Sequence, residues 1–248
     1  MLRCFQADLH IHTCLSPCGD LLMSPKRVVE EAARKKLDII AISDHNSAEN
    51  VAAAVRVGQD NDVTVIPAME VTTVEEAHFI AFFDRPDPVL DLQNLIYENL
   101  PGKNDPTVFG EQIVVNELDE VEGYNDRLLI GACGLSINKL IEEIHKRGGL
   151  IVAAHVDRQA FSIISQLGFI PPDIELDGLE ISARIPPGKA VELFPEFKKY
   201  PLITSSDAHY LQDIGKVRTS FMLQEPTFGE LRQAFANTNS RRLFVEEV

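Results

Sequence analysis

The chain divides into short apolar runs separated by amphipathic or polar segments. Four strands are predicted in the first third of the chain, at 5–10, 37–43, 63–70 and 77–83. The segment 37–43 is a continuous apolar run, which predicts a strand that is buried on both faces, as in a parallel sheet. Helices are predicted between them at 24–36 and 47–58. Ser24-Pro25 supplies an N-cap and a first-turn proline to the first helix, and Gly58 predicts the end of the second.

The same alternation returns after residue 135. Strands are predicted at 150–154, 178–182, 201–205, 218–223 and 241–247, and helices at 136–147, 159–167, 188–199 and 227–236. The strands at 63–70 and 77–83 follow each other too closely for a crossover helix. Repeated β-α units predict a parallel sheet, and about seven such units favour closure into an α/β barrel.

Residues 84–135 interrupt this alternation. A helix is predicted at 86–100, and a loop and only short strand signals follow it. The segment is too short to form an independent core, so we interpret it as an excursion from the barrel. The sequence therefore predicts one domain over 1–248.

Composition is typical of a globular protein, with 45% hydrophobic and 25% charged residues. No apolar run approaches the ~20 residues of a membrane span. Asp8 and His10 interrupt the only N-terminal segment that could resemble a secretory signal. We therefore expect a cytoplasmic protein without a membrane partner; the oligomeric state stays open.

The formal net charge of −15 bears on the choice of partner. A field of this sign repels the phosphate backbone of nucleic acids. We therefore expect no long nucleic acid among the partners. A phosphorylated small substrate would also be repelled unless metal ions or arginines reversed the sign locally.

Four cysteines are too few for a disulfide framework in a chain of 248 residues. Cys4 and Cys133 are expected to be buried, inert thiols. Cys14 and Cys18 follow His12 closely, so we do not assign them as inert thiols.

Six of the seven histidines, together with several acids, fall where a predicted strand ends. These residues are His10, His12, Asp44, His45, Glu70, His78, His155, Asp207 and His209. The carboxyl ends of barrel strands converge, so we expect these side chains to meet. Imidazoles and carboxylates gathered in this way are the ligands of a multinuclear metal site. His145 is excluded, because it lies in the last turn of a predicted helix.

Each of these signals is weaker when taken alone. His10 and His12 are two apart on a strand, so both imidazoles face the same side, but such pairs also arise by chance. Asp44 or Asp207 could instead cap a helix, and Glu70 could form a structural ion pair. Their joint occurrence at the ends of separate strands favours the metal site.

The chain resembles the PHP (polymerase and histidinol phosphatase) family from Asp8 to His209. The motifs are D-L-H-x-H-T at 8–13, S-D-H-N at 43–46, an apolar strand ending in Glu70, A-H at 77–78, A-H-x-x-R at 154–158 and S-D-A-H at 206–209. The resemblance implies a distorted (β/α)7 barrel whose metal site lies at the C-terminal ends of the strands. It also implies two or three divalent ions, which we expect to be zinc, manganese or iron.

The resemblance further implies how the ligands are shared between the ions. The predicted groups are His10, His12, Glu70 and Asp207 for the first ion; Glu70, His78 and His155 for the second; and His45 and His209 for the third. Cys18 stands where relatives carry a histidine or an acid, and a thiolate there would favour zinc or iron over manganese. Asp20 is the alternative ligand. Asp8 and Asp44 are expected to orient the histidines from behind.

The implied activity is that of a metal-dependent phosphoesterase that hydrolyses a small phosphomonoester, such as a nucleotide, a sugar phosphate or an amino-alcohol phosphate. A metal-bridging hydroxide would attack phosphorus. Glu70 and Asp207 would hold the ions, and Arg158 would stabilise the developing charge. Arg158 and Arg184 are the predicted substrate-binding residues.

Three other functions compete with this interpretation. A nuclease or phosphodiesterase on short oligonucleotides would use the same ligands. A non-catalytic metal-binding regulatory module is the alternative from a different class. An amidohydrolase also begins with H-x-H, but Glu70 and the final D-A-H fit that family poorly.

Overall fold

The computed structural model describes residues 1–245. The strands are β1 (Arg3–Ile11), β2 (Ile39–Ile42), β3 (Thr64–Thr72), β4 (His78–Phe82), β5 (Ile113–Val115), β6 (Val121–Tyr124), β7 (Leu150–Ala153), β8 (Gly178–Ile181), β9 (Leu202–Thr204), β10 (Thr219–Leu223) and β11 (Arg242–Val245). The helices are α1 (Pro25–Arg34), α2 (Val51–Asp60), α3 (Pro86–Asn99), α4 (Pro106–Phe109), α5 (Ile137–Lys146), α6 (Ile163–Leu167), α7 (Pro187–Leu193) and α8 (Phe228–Phe235). Residues 246 and 247 of the last predicted strand lie outside the described residues.

Three predicted helices have clearly different bounds in the structure. The helix predicted at 159–167 comprises only Ile163–Leu167, with Ser162 as its N-cap. The segment 188–199 forms α7 and then a separate 3-10 turn, Pro195–Lys199, because Pro195 has no N–H to continue the helix. The helix predicted from Ser47 begins only at Val51, and the Ser47 hydroxyl instead contacts the Tyr97 hydroxyl at 2.7 Å. It continues past Gly58, where a Cβ would come within 2.6 Å of a backbone oxygen.

One sheet runs through most of the molecule in the order β11-β10-β1-β2-β3-β4-β7-β8-β9. The pairs β1–β2, β2–β3, β7–β8 and β8–β9 are parallel. As predicted, no helix separates β3 from β4; the two strands pair antiparallel. The mixed α/β barrel is thereby confirmed, although not every strand is followed by a helix.

The sheet curls until its ends meet. The chain after β9 pairs with β1, because His12 N donates to Ala208 O at 3.0 Å and Ala208 N to His10 O at 3.3 Å. Thr219 of β10 adds a second link: its hydroxyl accepts from Thr204 N at 2.8 Å and donates to Thr204 O at 2.9 Å. One buried threonine thus satisfies both backbone groups of a residue on β9.

Apolar residues on the two faces of the strands form two clusters. In β2, Ile39 and Ala41 face one cluster, whereas Ile40 and Ile42 face the other. This explains why its sequence is continuously apolar. The cluster that contains Ile39 fills the barrel and is covered by α8, and the other packs under the remaining helices.

The two cysteines expected to be buried differ in the structure. Cys133 is buried, whereas Cys4 lies at the start of β1, where the first two residues of the strand are exposed. The prediction is therefore wrong for Cys4, because the apolar cluster inside the barrel begins only one residue later, at Phe5.

An irregularity in β1 prepares the site. Leu9 belongs to the cluster inside the barrel, but Ile11 belongs to the outer one, although they are two residues apart. The register of β1 against β2 shifts between Asp8 and Ile11. Such a bulge re-aims side chains, and here it lets His10 follow Leu9 into the barrel.

The excursion packs against the barrel at the same end. Asn50 receives the hairpin β5–β6: its Oδ1 accepts from Val115 N at 3.0 Å and its Nδ2 donates to Ile113 O at 3.1 Å. Ile113 N in turn donates to Cys14 O at 2.9 Å. The segment is therefore fixed beside the loop that follows β1. Within residues 1–245, no helix is long and apolar enough to cross a membrane.

Replacing Thr219 by Val should loosen the closure of the barrel. The change keeps the shape of the side chain but leaves the buried N–H and C=O of Thr204 without partners. The free energy of unfolding should fall by about 1–3 kcal/mol, measured by urea denaturation. Thr64→Val, an equal change at a half-buried position of β3, is the control; equal effects of the two changes would contradict the proposed link.

Candidate metal centre

The residues predicted at strand ends meet at one end of the barrel. His10 and His12 lie at the end of β1, and Glu70 lies near the end of β3. His78 begins β4, which runs antiparallel to its neighbours and so brings its first residue to the same end. His45, His155, Asp207 and His209 lie in the loops that follow β2, β7 and β9.

The carboxylate of Glu70 is the centre of this cluster and is almost fully buried. Its Oε1 lies 2.8 Å from His78 Nδ1 and 3.2 Å from His155 Nε2. Its Oε2 lies 2.9 Å from His45 Nδ1, but neither of these two atoms makes a hydrogen bond within the described residues. Burial alone would raise the pKa of Glu70, but the imidazoles around it, His78 foremost, hold it well below its usual value.

His10 is oriented by a second buried carboxylate. Its Nδ1 lies 3.1 Å and 3.0 Å from the two oxygens of Glu180. An ionised carboxylate can only accept, so the imidazole proton belongs on Nδ1. The Nε2 atom of His10 then turns its lone pair toward Glu70.

His12 is oriented in the same sense by a hydroxyl. Its Nδ1 lies 3.0 Å from Ser16 Oγ, and Ser16 donates its single hydrogen to Asp44 at 2.7 Å. Ser16 must therefore accept from His12 Nδ1, which leaves the lone pair on Nε2. Asp44 thus orients the histidine as predicted, but through Ser16 rather than directly.

These lone pairs face one another at short range. The Nε2 atoms of His10 and His12 are 3.1 Å apart, and Asp207 Oδ1 lies 3.1 Å from His12 Nε2. Burial and the neighbouring His209 hold the pKa of His12 well below its ordinary value, so it is neutral. For His10, burial lowers the pKa, but Glu180 and the other carboxylates raise it well above its ordinary value. A cation, either a proton on His10 or a metal ion, must therefore occupy the space between them.

The available donors fit divalent metal ions. Imidazole nitrogens and carboxylate oxygens are the ligands of zinc, manganese and iron. Three sets of such atoms lie within 4.8 Å of one another: His10, His12 and Glu70; His45, Glu70 and His78; and His12, His45 and His209. The predicted residues come together, but His45 also belongs with Glu70 and His12 is shared. How the ligands are divided between ions stays a prediction.

Asp207 is held by Arg158. The Arg158 Nη2 atom lies 2.5 Å from Asp207 Oδ2, which leaves Oδ1 directed at His12. Asp207 and His155 both have positive φ angles, 50° and 30°. Such conformations are costly for residues other than glycine and persist where the surroundings impose them, as at functional sites.

Cys18 lies at the edge of the cluster beside His45 and His209 and is exposed. Burial of the sulfur would raise the pKa of the thiol, but the two imidazoles lower it to about 6. Cys18 is absent from the three sets of clustered ligand atoms, so its role as a ligand stays a prediction. Asp20, the alternative, instead accepts from Leu22 N at 2.8 Å.

Other predicted residues lie elsewhere. Asp8 contacts no imidazole at hydrogen-bonding distance; it accepts from Ser206 and from Gly215 N, so it fixes the loop that carries Asp207. Arg184 does not line the pocket beside the cluster. It lies in the loop that follows β8 and lines a neighbouring cavity. His145, excluded from the sequence alone, pairs with Asp177 at 3.0 Å, away from the cluster.

Glu180 and Ser16 were not predicted. Glu180 is the only acid in the apolar strand G-L-E-I-S, and a buried acid within such a strand needs a partner. That signal was present in the sequence. Nothing in the sequence marked Ser16, because its role depends on Asp44 and His12 meeting in space.

A pocket of about 220 Å³ opens beside the cluster. Ile130, from the excursion, and Ala160 and Phe161 provide its apolar wall. The ring of Phe161 stacks on that of His78 at 5.0 Å between centroids, and Phe161 is 48% exposed. Its φ of 58° is held by its carbonyl, which accepts from His78 N at 2.9 Å. The pocket thus joins the metal ligands, a guanidinium and an exposed aromatic ring.

Comparison with known proteins decides the family. The PHP domain model matches residues 8–160, and the PHP-associated C-terminal model matches residues 191–239. The chain belongs to the PHP domain family. Like other members of this family, it is a metal-dependent hydrolase. It is 25% identical to an uncharacterized protein of Methanocaldococcus jannaschii over 184 aligned residues. This alignment covers 71% of this chain and 80% of that protein.

Two solved structures show the fold of this PHP domain. The lesion-specific endonuclease EndoQ of Pyrococcus furiosus superposes with a TM-score of 0.75 at 18% identity, over 97% of this chain and 58% of that chain. A Bacteroides vulgatus two-domain protein, described as containing a predicted PHP-like metal-dependent phosphoesterase, gives 0.58 at 17% identity over 99% and 66%. The chain thus spans little more than half of the endonuclease.

The expectation of a small-molecule partner and no long nucleic acid is wrong. Endonuclease Q has this fold and has been solved with a 27-mer duplex substrate whose abasic lesion lies at the active site. Net charge describes the whole molecule, whereas at physiological ionic strength charges act over about 8 Å. The charge of −15 therefore does not exclude nucleic acid from a local site.

Replacing Glu180 by Gln should weaken metal binding. The change removes the charge that fixes the proton on His10 Nδ1, and such changes behind a ligand reduce metal affinity by about 10–100-fold. Competition with a chelator would measure the affinity of the purified protein for Zn²⁺ and Mn²⁺. Glu175→Gln, at an exposed position, is the matched control. Unchanged affinity in the first variant would contradict the role given to Glu180.

Alkylation can test whether Cys18 is a ligand. In chelator-treated protein, the rate at which iodoacetamide labels Cys18 should rise with pH and level off above about 7, because its pKa of about 6 makes the thiolate predominate there. Added Zn²⁺ should slow the labelling if the sulfur binds metal. Peptide mass spectrometry would follow Cys18, with Cys18→Ser as the blank. Labelling at the same rate with and without Zn²⁺ would exclude the thiolate as a ligand.

Proposed function

We propose that this PHP domain is a metal-dependent phosphodiesterase that cleaves a nucleic-acid strand. The observation that carries the proposal is the pocket in which the metal ligands, Arg158 and the exposed ring of Phe161 meet. Each component matches a component of a nucleotide: metal ions and a guanidinium bind the phosphate, and an aromatic ring stacks on a base.

The metal ions would be held by the residues around Glu70, with zinc, manganese or iron as the candidates. When bound, they would supply a water-derived nucleophile near neutral pH and neutralise charge on the phosphate. The protein keeps the ligands ready for this task. Glu180 and Ser16 accept from the outer nitrogens of His10 and His12, so the inner nitrogens face the site, and a metal ion would displace any proton that His10 holds there.

Arg158 is placed to act on the phosphate group. Its Nη2 is paired with Asp207, whereas its Nε is buried and has no partner within the described residues. A buried donor without a partner is costly, and a phosphate oxygen would satisfy it. The guanidinium can therefore hold Asp207 and the substrate together, and stabilise the charge that develops as the P–O bond to the leaving oxygen breaks.

Phe161 and Ile130 give the pocket its preference for a nucleotide. Both side chains are exposed, at 48% and 38%, and both border the pocket. Stacking of a base on an aromatic ring contributes about 1–3 kcal/mol and tolerates any base. The strained backbone of Phe161 keeps its ring against His78, so the base would lie next to the scissile phosphate.

The endonuclease of the same fold supports a nucleic-acid substrate, since its solved complex contains a 27-mer duplex substrate with an abasic lesion. This chain spans 58% of that protein. Segments that the endonuclease has beyond this domain therefore have no counterpart in the match, and the preference for single or double strands is left to experiment.

Replacing Glu70 by Gln tests the proposed function. The change removes the carboxylate charge that two of the three sets of ligands share, so the metal content should fall below one ion per chain, measured by inductively coupled plasma mass spectrometry. Hydrolysis should fall at least 1000-fold, as expected when metal-dependent activation of water is lost. Glu98→Gln, at an exposed position of α3, is the control and should keep both.

A second experiment measures which substrates the wild-type protein hydrolyses when it is loaded with Zn²⁺, Mn²⁺ or Fe²⁺. The substrates are single-stranded and duplex oligonucleotides, with and without an abasic site, and mononucleotides. Cleavage of internal phosphodiesters is expected. Release of phosphate from mononucleotides with intact oligonucleotides would contradict the proposal, as would the absence of turnover with every metal.

A further inference from the structure

A second cavity lies at the same end of the barrel and has cationic side chains on its wall. We define the cationic cavity by Ser182, Arg184, Pro187, Thr204, Lys216 and Val217. Its volume is about 310 Å³, larger than the 220 Å³ of the pocket beside the metal ligands. The comparisons with known proteins assign it no role.

The cationic cavity adjoins the metal centre through two connections. On one side, Ser182 donates from its N–H and its hydroxyl to the carboxylate of Asp157, both at 2.6 Å, and Asp157 precedes Arg158. Ser182 also follows Glu180 by two residues, directly after the end of β8, so the alternation along the strand places the two residues on the same side. The wall of the cavity is thus built on the strand that orients His10.

On the other side, the connection runs through Asp8. Its carboxylate accepts from Gly215 N at 2.7 Å and from Ser206 N at 2.9 Å. Gly215 precedes Lys216, and Ser206 precedes Asp207. The buried carboxylate of Asp8 therefore holds the loop that contains Lys216 and the loop that contains Asp207 at a fixed separation.

The charge of the cavity is opposite to that of the molecule. Arg184 is exposed and forms no ion pair within residues 1–245. Lys216 contacts Asp213, but the lysine side chain remains 61% exposed, and such surface pairs contribute little. Two more acids lie nearby, and both have hydrogen-bond donors: Asp157 accepts from Ser182, and Asp8 accepts from Ser206 and Gly215. In a chain of net charge −15, two cations on one cavity wall mark a place for an anion.

We propose that the cationic cavity binds a phosphate of the substrate strand next to the one that is cleaved. This inference rests on the proposed function, because it needs a substrate with more than one phosphate. Arg184 and Lys216 would contact the phosphate oxygens, and Pro187 and Val217 would contact the attached sugar. Arg184, predicted to bind substrate, would thereby bind it at the nucleotide adjacent to the reacting phosphorus.

The test compares two substrates in the metal-loaded protein. One is the p-nitrophenyl ester of thymidine 5′-phosphate, which has a single phosphodiester. The other is the same ester extended by three nucleotides. The measured quantity is the preference for the extended substrate, the ratio of the two kcat/KM values, and its dependence on salt concentration.

Arg184→Gln should reduce this preference by about ten-fold or more, because a charge-assisted contact with phosphate is lost. The slope of log kcat/KM against log salt for the extended substrate should become shallower by about one. Lys216→Gln should change both quantities in the same direction. Lys189→Gln removes an equal charge on α7, where Lys189 pairs with Glu192 outside the cavity, and serves as the control.

If Arg184→Gln and Lys216→Gln match the control in preference and in salt dependence while both substrates are cleaved, the cavity proposal fails and the proposed function stands. If the wild-type protein cleaves neither substrate, the proposed function fails and the cavity proposal fails with it. A lower preference together with a shallower salt slope supports both.

Discussion

The structure depends on holding several electron-pair donors, imidazole nitrogens and carboxylate oxygens, close together. Imidazole lone pairs and carboxylate oxygens meet around the buried Glu70 at short distances. Groups of this kind repel one another unless a cation separates them. The folded barrel must therefore supply enough favourable packing to hold them, and a metal ion that binds there also stabilises the fold, because binding only the folded state shifts the equilibrium toward it.

Much of the polar network outside the cluster serves this purpose. Glu180 and Ser16 fix the outer nitrogens of the two β1 histidines, and Asp8 fixes the loop after β9. The bulge in β1 and the positive φ angles of His155 and Asp207 direct the side chains inward. The bulge and the positive φ angles each raise the backbone energy locally, and all of them lie at the end of the barrel where the ligands meet.

The site also shows why net charge is a poor guide to the partner of an acidic enzyme. The charge of −15 is spread over the surface, where salt screens it within about 8 Å. The pocket contains Arg158 and the metal ligands, and Arg184 and Lys216 lie in the next cavity. With metal ions bound, a phosphate that approaches this end of the barrel would meet local charges of the opposite sign.

The sequence by itself determined the α/β alternation, the β3–β4 connection without a helix, and the meeting of six histidines with Glu70 and Asp207, because strand ends converge in any barrel of this kind. It did not determine the tautomers of His10 and His12. For His10 the tautomer depends on Glu180, which lies far along the chain, and for His12 it depends on Ser16, whose hydrogen is directed to the distant Asp44. Likewise, only the tertiary structure separated Arg158 from Arg184. Both follow strands, but the direction of a loop side chain depends on how the loop packs, and no periodic pattern encodes that packing.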